Sequence, residues 1–403
     1  MALCDTALQV KWAHTGEGTT SAATTSFRLF RDNNSKIYLY GSGTGFQFGS
    51  VFVPGIPFIL WCDPAGEPVE VIDVNNSVTP FVMPTGDYLI AGRYGAEAPD
   101  LFNNVFVKKF QWPYNLEWQK ITTGNQGGSV RTNFGVHDQK GYLYSSSRVS
   151  GTFDYFGKPI QANTGQTLFA RFDPAGKLLW SQAVTDQLAC DNYPFGPQIN
   201  CDNEGNLVAS GRFYNQLKLG SFTLVDQNLN LDGYVTMFSP EGEVQWVTQL
   251  EASHQCHING TALTTDGQVI ITGYFAGFLK VGNVTMDGGP QQSVFVIKLD
   301  HQGNLLWAKA FAGELIYLAM PAVDADGNIF VGCEIYNSST GILTFGTATT
   351  TQGPDDGGTV LVKLDPAGTP LWVHTYGGSA LDDKASGWPT DIKTDAQGNC
   401  YLW

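Results

Sequence analysis

Charge is scarce in this chain, and what there is leans to one sign. Asp, Glu, Lys and Arg make up 15% of the 403 residues, with 22 basic against 37 acidic side chains and a net charge of −15. No long basic run occurs, which argues against nucleic acid or an anionic membrane surface as partner. No apolar stretch approaches the roughly 20 residues that a spanning helix needs, so no membrane insertion is expected. The opening Met1-Ala-Leu-Cys-Asp5 has no basic segment followed by an apolar one, so no signal peptide is read there. The seven cysteines (4, 62, 190, 201, 256, 333 and 400) are odd in number, scattered and free of any CxxC pair. That spacing indicates neither a zinc knuckle nor a disulfide framework. Ser-His-Asp spacing, a phosphate-binding glycine loop and HExxH are also missing.

Glycine is plentiful at 47 residues, beside 42% hydrophobic and 13% aromatic side chains. This mix, with Thr-, Asn- and Ser-rich connections, reads as all-β with many turns. One phrase recurs: Asp173-Pro-Ala-Gly-Lys-Leu-Leu-Trp180, Asp300-His-Gln-Gly-Asn-Leu-Leu-Trp307 and Asp365-Pro-Ala-Gly-Thr-Pro-Leu-Trp372. Looser copies end at Trp12, Trp118 and Trp246, and Asp63-Pro-Ala-Gly-Glu-Pro-Val-Glu70 keeps the turn with Glu70 in place of tryptophan. The copies lie roughly 60 residues apart, a repeat-protein period. Between them runs a second Asp-x-x-Gly set (Asp138–Gly141, Asp202–Gly205, Asp324–Gly327, Asp395–Gly398). Asp bonding its own backbone and Gly at positive φ suit such reversals. A third mark is an apolar residue before glycine: Phe48, Phe156, Leu219, Val281 and Phe345.

Each repeat holds four strand-like segments, which predicts four-stranded antiparallel blades around an axis, a β-propeller. Six contiguous blades are expected at about 19–77, 78–126, 127–186, 187–253, 254–313 and 314–378. A seventh combines 379–403 with 1–18, making residues 1–403 one domain and leaving no open sheet edge. Trp12, Trp118, Trp180, Trp246, Trp307 and Trp372 are expected to be structural, packed between blades. Cys4 and Cys400 then share the composite blade and become a candidate disulfide.

The full pattern, Asp-x-x-Gly-Asn before an apolar strand, then Phe-Gly, then Val-x-Lys-Leu-Asp-x-x-Gly and an apolar-Trp pair, resembles the SBBP (seven-bladed β-propeller) repeat of bacterial proteins. Copies at 261–313 and 323–378 carry it best. The resemblance implies the fold and a surface or extracellular binding and adhesion context, with no shared catalytic motif. The segment 173–180 is also similar to the tryptophan-docking motif of quinoprotein dehydrogenases. Those propellers usually have eight blades and add a calcium site and a catalytic aspartate, for which no counterpart is recognisable here.

Both Asp-x-x-Gly sets fall on one face, so the longer, irregular loops face the other way, where binding is expected. Candidates there include Asp191 and Tyr193 in Cys190-Asp-Asn-Tyr-Pro-Phe-Gly196, which mixes aromatic and polar groups as sugar-binding loops do. A purely structural loop is the competing reading. His254 and His257 in His-Gln-Cys-His have metal-type ligands at close spacing but no convergent partner, so no metal is assigned. Asp287, Asp355 and Asp356 sit in acidic loops that suit Ca²⁺ or are simply solvated turns. Arg93, Arg148 and Arg212 hold one place in the second segment of three consecutive blades, where others carry Ser42, Tyr274 and Cys333. Three equivalent arginines suit an anionic ligand, or salt bridges between blades.

The expected function is a non-catalytic binding or structural module, extracellular or in a surface assembly, taking a glycan or protein on its loop face. Intracellular synthesis for an assembly or phage particle is the variant that the missing signal peptide favours. The alternative is a glycan-active hydrolase or lyase with a site in a central pocket. No cofactor is expected beyond the calcium just weighed.

Overall fold

A computed structural model describes residues 2–4, 10–13, 16–18, 26–31, 37–42, 46–48, 51–53, 58–63, 67–73, 78–82, 88–94, 104–111, 115–124, 129–184, 198–289, 292–312, 316–335, 342–346, 348–351, 358–376, 392–395 and 398–402. These residues form strands and turns and no helix. The chain divides into two compact bodies, residues 1–4 with 9–184, and residues 5–8 with 185–403.

The first body holds three antiparallel sheets with four main strands each, spanning 26–73, 78–121 and 129–183. It also contains the pair Ala2–Cys4 and Val10–Ala13. The second holds three more, within 198–252, 255–312 and 316–376, and the pair Ile392–Thr394 and Cys400–Leu402. Their second and third strands are almost wholly buried, as in Leu207–Phe213, Val269–Ala276 and Ser293–Leu299. β-branched and aromatic side chains fill them, which suits a pleated strand packed on both faces. The cores lie between neighbouring sheets. In the second body, Val208 and Val235 of one sheet share a cluster with Ile271, Phe275 and Phe295 of the next.

The Asp-x-x-Gly turns show why their letters repeat. In the turn at 300–304, Asp300 Oδ1 accepts the N–H groups of Gln302 (2.9 Å) and Asn304 (2.8 Å), while Asn304 Nδ2 donates to Oδ2 at 3.0 Å. The turns at 202–206 and 324–328 repeat this side-chain clasp, which accounts for Asn after the glycine. At 264–268 Thr264 takes the role of Asp, its Oγ1 accepting the Gln268 N–H at 2.9 Å. Gly303 (φ 80°) and Gly368 (φ 76°) occupy backbone space that disfavours side chains.

Those glycines have a second role. In three sheets the tryptophan on the fourth strand lies against the turn glycine of the next sheet. A Cβ added to Gly176, Gly303 or Gly368 would come within 2.6 Å of Trp118, 2.5 Å of Trp246 and 2.8 Å of Trp307 respectively. Trp246 Nε1 donates to His301 O (2.9 Å) and Trp307 Nε1 to Pro366 O (3.2 Å), fixing each ring to the turn it covers. Across the strand pair, five fourth-strand tryptophans stand opposite a third-strand cation or its substitute: Lys109, Arg171, Met237, Lys298 and Lys363 face Trp118, Trp180, Trp246, Trp307 and Trp372. In the sheet that carries Glu70 the order is reversed. Trp61 takes the third-strand place and its Nε1 donates to Glu70 at 3.4 Å. The side chain of Trp12 lies outside the described residues.

The apolar-Gly mark belongs to a short hairpin inserted between second and third strands, as in Phe278–Val281 with Val284–Asp287. Its first strand also pairs with the fourth strand of the preceding sheet, Leu250 with Val281 and Ala252 with Leu279. Phe46–Phe48 pairs with Gly16–Gly18, and Phe153 and Asp154 with Gly124 and Thr123, in the same manner within the first body. Phe156 also departs from its supposed equivalents. Leu219, Val281 and Phe345 end a strand, whereas Phe156 is itself at the corner, with φ 54°.

Candidate functional site

Register places one polar row across the second body. Arg212, Tyr274 and Glu334 each stand sixth in the second strand of consecutive sheets, opposite Gly233, Val294 and Thr359. Cys333, expected in this row, is one position early. It is fully buried in the core, and Glu334 holds the arginine's place. In the first body Arg148 has the same register, opposite Thr167, and is exposed. Arg93 falls opposite Val105, and its side chain lies outside the described residues.

Arg212 is 7% exposed and reaches across to the next sheet, where Nη1 lies 3.0 Å from His257 Nε2. A guanidinium has no acceptor, so Nε2 must carry the lone pair and the proton must sit on Nδ1. The imidazole of His257 is therefore neutral. Burial, and then the Arg212 charge, hold its pKa down at about 4. His257 lies opposite Tyr274 in the ladder, and their rings stack at 4.5 Å with 10° between planes. Cation, neutral imidazole and phenol thus form one rigid series. His257 was expected in a loop, but the strand Gln255–Leu263 contains it.

The remaining member is different in kind. Glu334 is 5% exposed, and burial raises its carboxyl to about 7. No hydrogen bond or ion pair from its side chain occurs among the described residues. The place corresponding to His257 in this sheet is Leu318, which cannot answer a carboxylate.

The other candidates separate. His254 is exposed, its Nδ1 3.1 Å from Ser253 Oγ, while Cys256 points into the core, where burial raises its thiol pKa. His254, Cys256 and His257 therefore do not converge. Among the described residues no group of three His, Cys, Asp or Glu side chains is placed to hold a metal ion. Asp287 Oδ1 caps its own turn, accepting the Gly289 N–H at 2.8 Å. Asp191, Tyr193, Asp355, Asp356 and the side chain of Cys4 lie outside the described residues, and Cys400 is buried.

A cavity of about 680 Å³ opens in the second body at the Asp-x-x-Gly end, not at the long-loop end where binding was expected. The ends of four first strands line it, through Asn200, Thr261, Pro321 and Thr394, with Asp266 and Lys393 at its edge. Most of the long-loop segments, among them 185–197 and 377–391, are outside the described residues. Nothing in the sequence marked this cavity, since its walls are strand ends built largely from frame positions.

No family model matches the chain, so the SBBP resemblance rests on the repeat motif alone. The chain is similar to an uncharacterized WD repeat-containing protein of Acanthamoeba polyphaga mimivirus, 29% identical over 127 residues. That match takes in 27% of this chain and spans only 9% of the viral protein. Among solved structures it is similar to a eukaryotic initiation factor (9% identity, TM-score 0.36, 93% of this chain and 95% of that one). A variant of the NanB sialidase from Streptococcus pneumoniae is similar too (10% identity, TM-score 0.29, 97% and 77%). Likeness at this level carries no argument about activity. The chain's own sheets carry the assignment: an all-β protein of repeated four-stranded antiparallel units.

Proposed function

We propose that the chain is a seven-bladed propeller that works as a non-catalytic interaction module with a protein as its ligand. The six four-stranded sheets are its contiguous blades. The strand pairs at the two chain ends are third-and-fourth and first-and-second halves of the closing blade. One closed body of 403 residues has an expected radius of gyration of about 21 Å, measurable by small-angle scattering. A markedly larger value would break the ring model.

The observation that carries the binding reading is the polar row. The frame repeats its turns, tryptophans and cations almost letter for letter, while one register position runs through Ser42, Arg93, Arg148, Arg212, Tyr274 and Glu334. A regular scaffold that varies at one place gives each blade a separate chemical voice, as asymmetric recognition requires. The WD-repeat likeness agrees with this reading, because propellers of that type commonly serve as interaction scaffolds. The native protein should co-purify with a stoichiometric protein partner, and exposed Arg148→Glu should weaken that complex. Isolation as an unliganded monomer, or binding restricted to sugars on a glycan array, would overturn it.

A glycan-active enzyme has one observation in its favour. Glu334, raised to about 7, would be protonated often enough near neutrality to act as a general acid. Glycan turnover abolished by Glu334→Gln would establish that reading instead.

A further inference from the structure

In the first body a cavity of about 530 Å³ lies where Lys120, the Phe156-Gly157-Lys158 corner and Gly176–Leu179 meet. Three exposed lysines from three separate elements line it, and no lining residue is acidic. This happens in a chain with 22 basic and 37 acidic side chains. Among the described residues Lys120 and Lys177 make no ion pair and Lys158 Nζ donates only to Ser181 O, at 3.3 Å. The carboxylates of the two bordering turns are engaged by backbone: Asp154 accepts the Gly157 N–H (2.7 Å), and Asp173 those of Ala175 (3.0 Å) and Lys177 (2.8 Å). Like charges gathered at one cavity raise the local positive potential and favour an anion there.

The repeat supplies internal controls. The same tryptophan-on-glycine contact recurs at Trp246 with Gly303 and at Trp307 with Gly368. The places of Lys120, Lys158 and Lys177 are taken by Thr248, Val284 and Asn304 beside Trp246, and by Lys309, Ala348 and Thr369 beside Trp307. Triple lysine is thus a departure from the frame, not part of it. Two further departures fall at the same spot. Phe156 holds φ 54°, a conformation unfavourable for a bulky side chain, at the cavity's rim. The indole N–H of Trp118, whose ring covers lining residue Gly176, has no hydrogen-bond partner among the described residues, unlike those of Trp246 and Trp307.

We propose that this groove binds a phosphate or sulfate ester carried on an organic group of about monosaccharide size. The lysines supply charge-assisted donors to the oxyanion. Phe156, Leu178 and Leu179 give the carrier an apolar wall, and the volume suits a small ligand.

Calorimetric titration of the whole protein at low salt with glucose 6-phosphate, glucose 6-sulfate, inorganic phosphate and glucose tests this. Saturable binding of one or both esters, weaker binding of inorganic phosphate and none of glucose is expected. The pair Lys120→Gln with Lys177→Gln, both exposed, should weaken ester binding by about a hundredfold, tenfold for each charged contact. Lys309→Gln, at the equivalent place beside Trp307, should leave it unchanged. No saturable binding of any ester, or equal loss in Lys309→Gln, would overturn the site. Inorganic phosphate binding as tightly as the esters would overturn the organic carrier.

Discussion

The indole of Trp246 presses on Gly303 so closely that a methyl group there would stand 2.5 Å from the ring. Two constraints act on the glycine at once, its φ of 80° and the ring above it. Gly303→Ala should destabilise the protein by about 2–4 kcal/mol, strain and overpacking together. Gly289 separates them, because its φ is 67° and nothing lies near its missing Cβ. Gly289→Ala should cost only about 1 kcal/mol. Urea unfolding midpoints compare the two, and equal losses would remove the role assigned to the ring.

Asp324 and Lys363 form a buried ion pair at 3.3 Å, but the two partners depend on it unequally. Without Lys363, the Asp324 carboxylate keeps the N–H groups of Asp326 and Asn328 and the Asn328 amide. Without Asp324, Lys363 keeps the Phe330 ring at 4.7 Å as its cation–π contact. Asp324→Ala should therefore cost about 3 kcal/mol and Lys363→Met about 1 kcal/mol. Met237 already stands in the lysine's place in another sheet. Thermal unfolding that ranks them the other way would show the cation to be the dominant partner.

Stability should depend on pH through two groups with opposite signs. Glu334 binds its proton more tightly folded than unfolded, so its contribution is complete below about 4.5 and is lost as pH rises through about 7. His257 binds its proton less tightly when folded. Its contribution is present above 6.5 and is lost as pH falls toward about 4. Between 4.5 and 6.5 they oppose one another. Glu334→Gln should raise stability above pH 7 by about 1–2 kcal/mol after solvent screening. His257→Gln should flatten the acid limb. A variant that shifts the curve uniformly at all pH values would contradict the corresponding assignment.

The Arg212–His257 contact fixes a tautomer that nitrogen NMR can read. The bare nitrogen should be Nε2 throughout the neutral range, with titration near pH 4. Arg212→Ala should move that titration upward while leaving it below the ordinary value, because burial is the larger cause. An Nε2–H signal in the native protein would disprove the contact.

Much of the frame can be read from the chain because its causes are local. Asp, Gly and Asn within five positions determine a turn whose hydrogen bonds stay inside those five. The hairpins were harder, since a four-residue strand closed by glycine spells no more than a loop does. Glu334 escaped because Gly332-Cys333 imitates Gly211-Arg212 when the glycines are aligned. Counting from the turn would have found it: Arg148, Arg212, Tyr274 and Glu334 each lie ten positions after Asp138, Asp202, Thr264 and Asp324. The lysine cavity depended on packing between sheets, which no spacing along the chain encodes.

The pairing of Leu250–Ala252 with Leu279–Val281 sets where the protein can be divided. A repeat ends in sequence near Ser253, yet its last strand is finished by a hairpin that belongs to the next repeat. The smallest piece with that strand fully paired is 198–287, not 198–253. The Ser253 N–H donates to Phe278 O at 2.9 Å, so amide exchange at Ser253 should rise and fall with opening of the hairpin at 278–287. Units read as beads along the chain behave in folding as overlapping shingles, each held down by its successor.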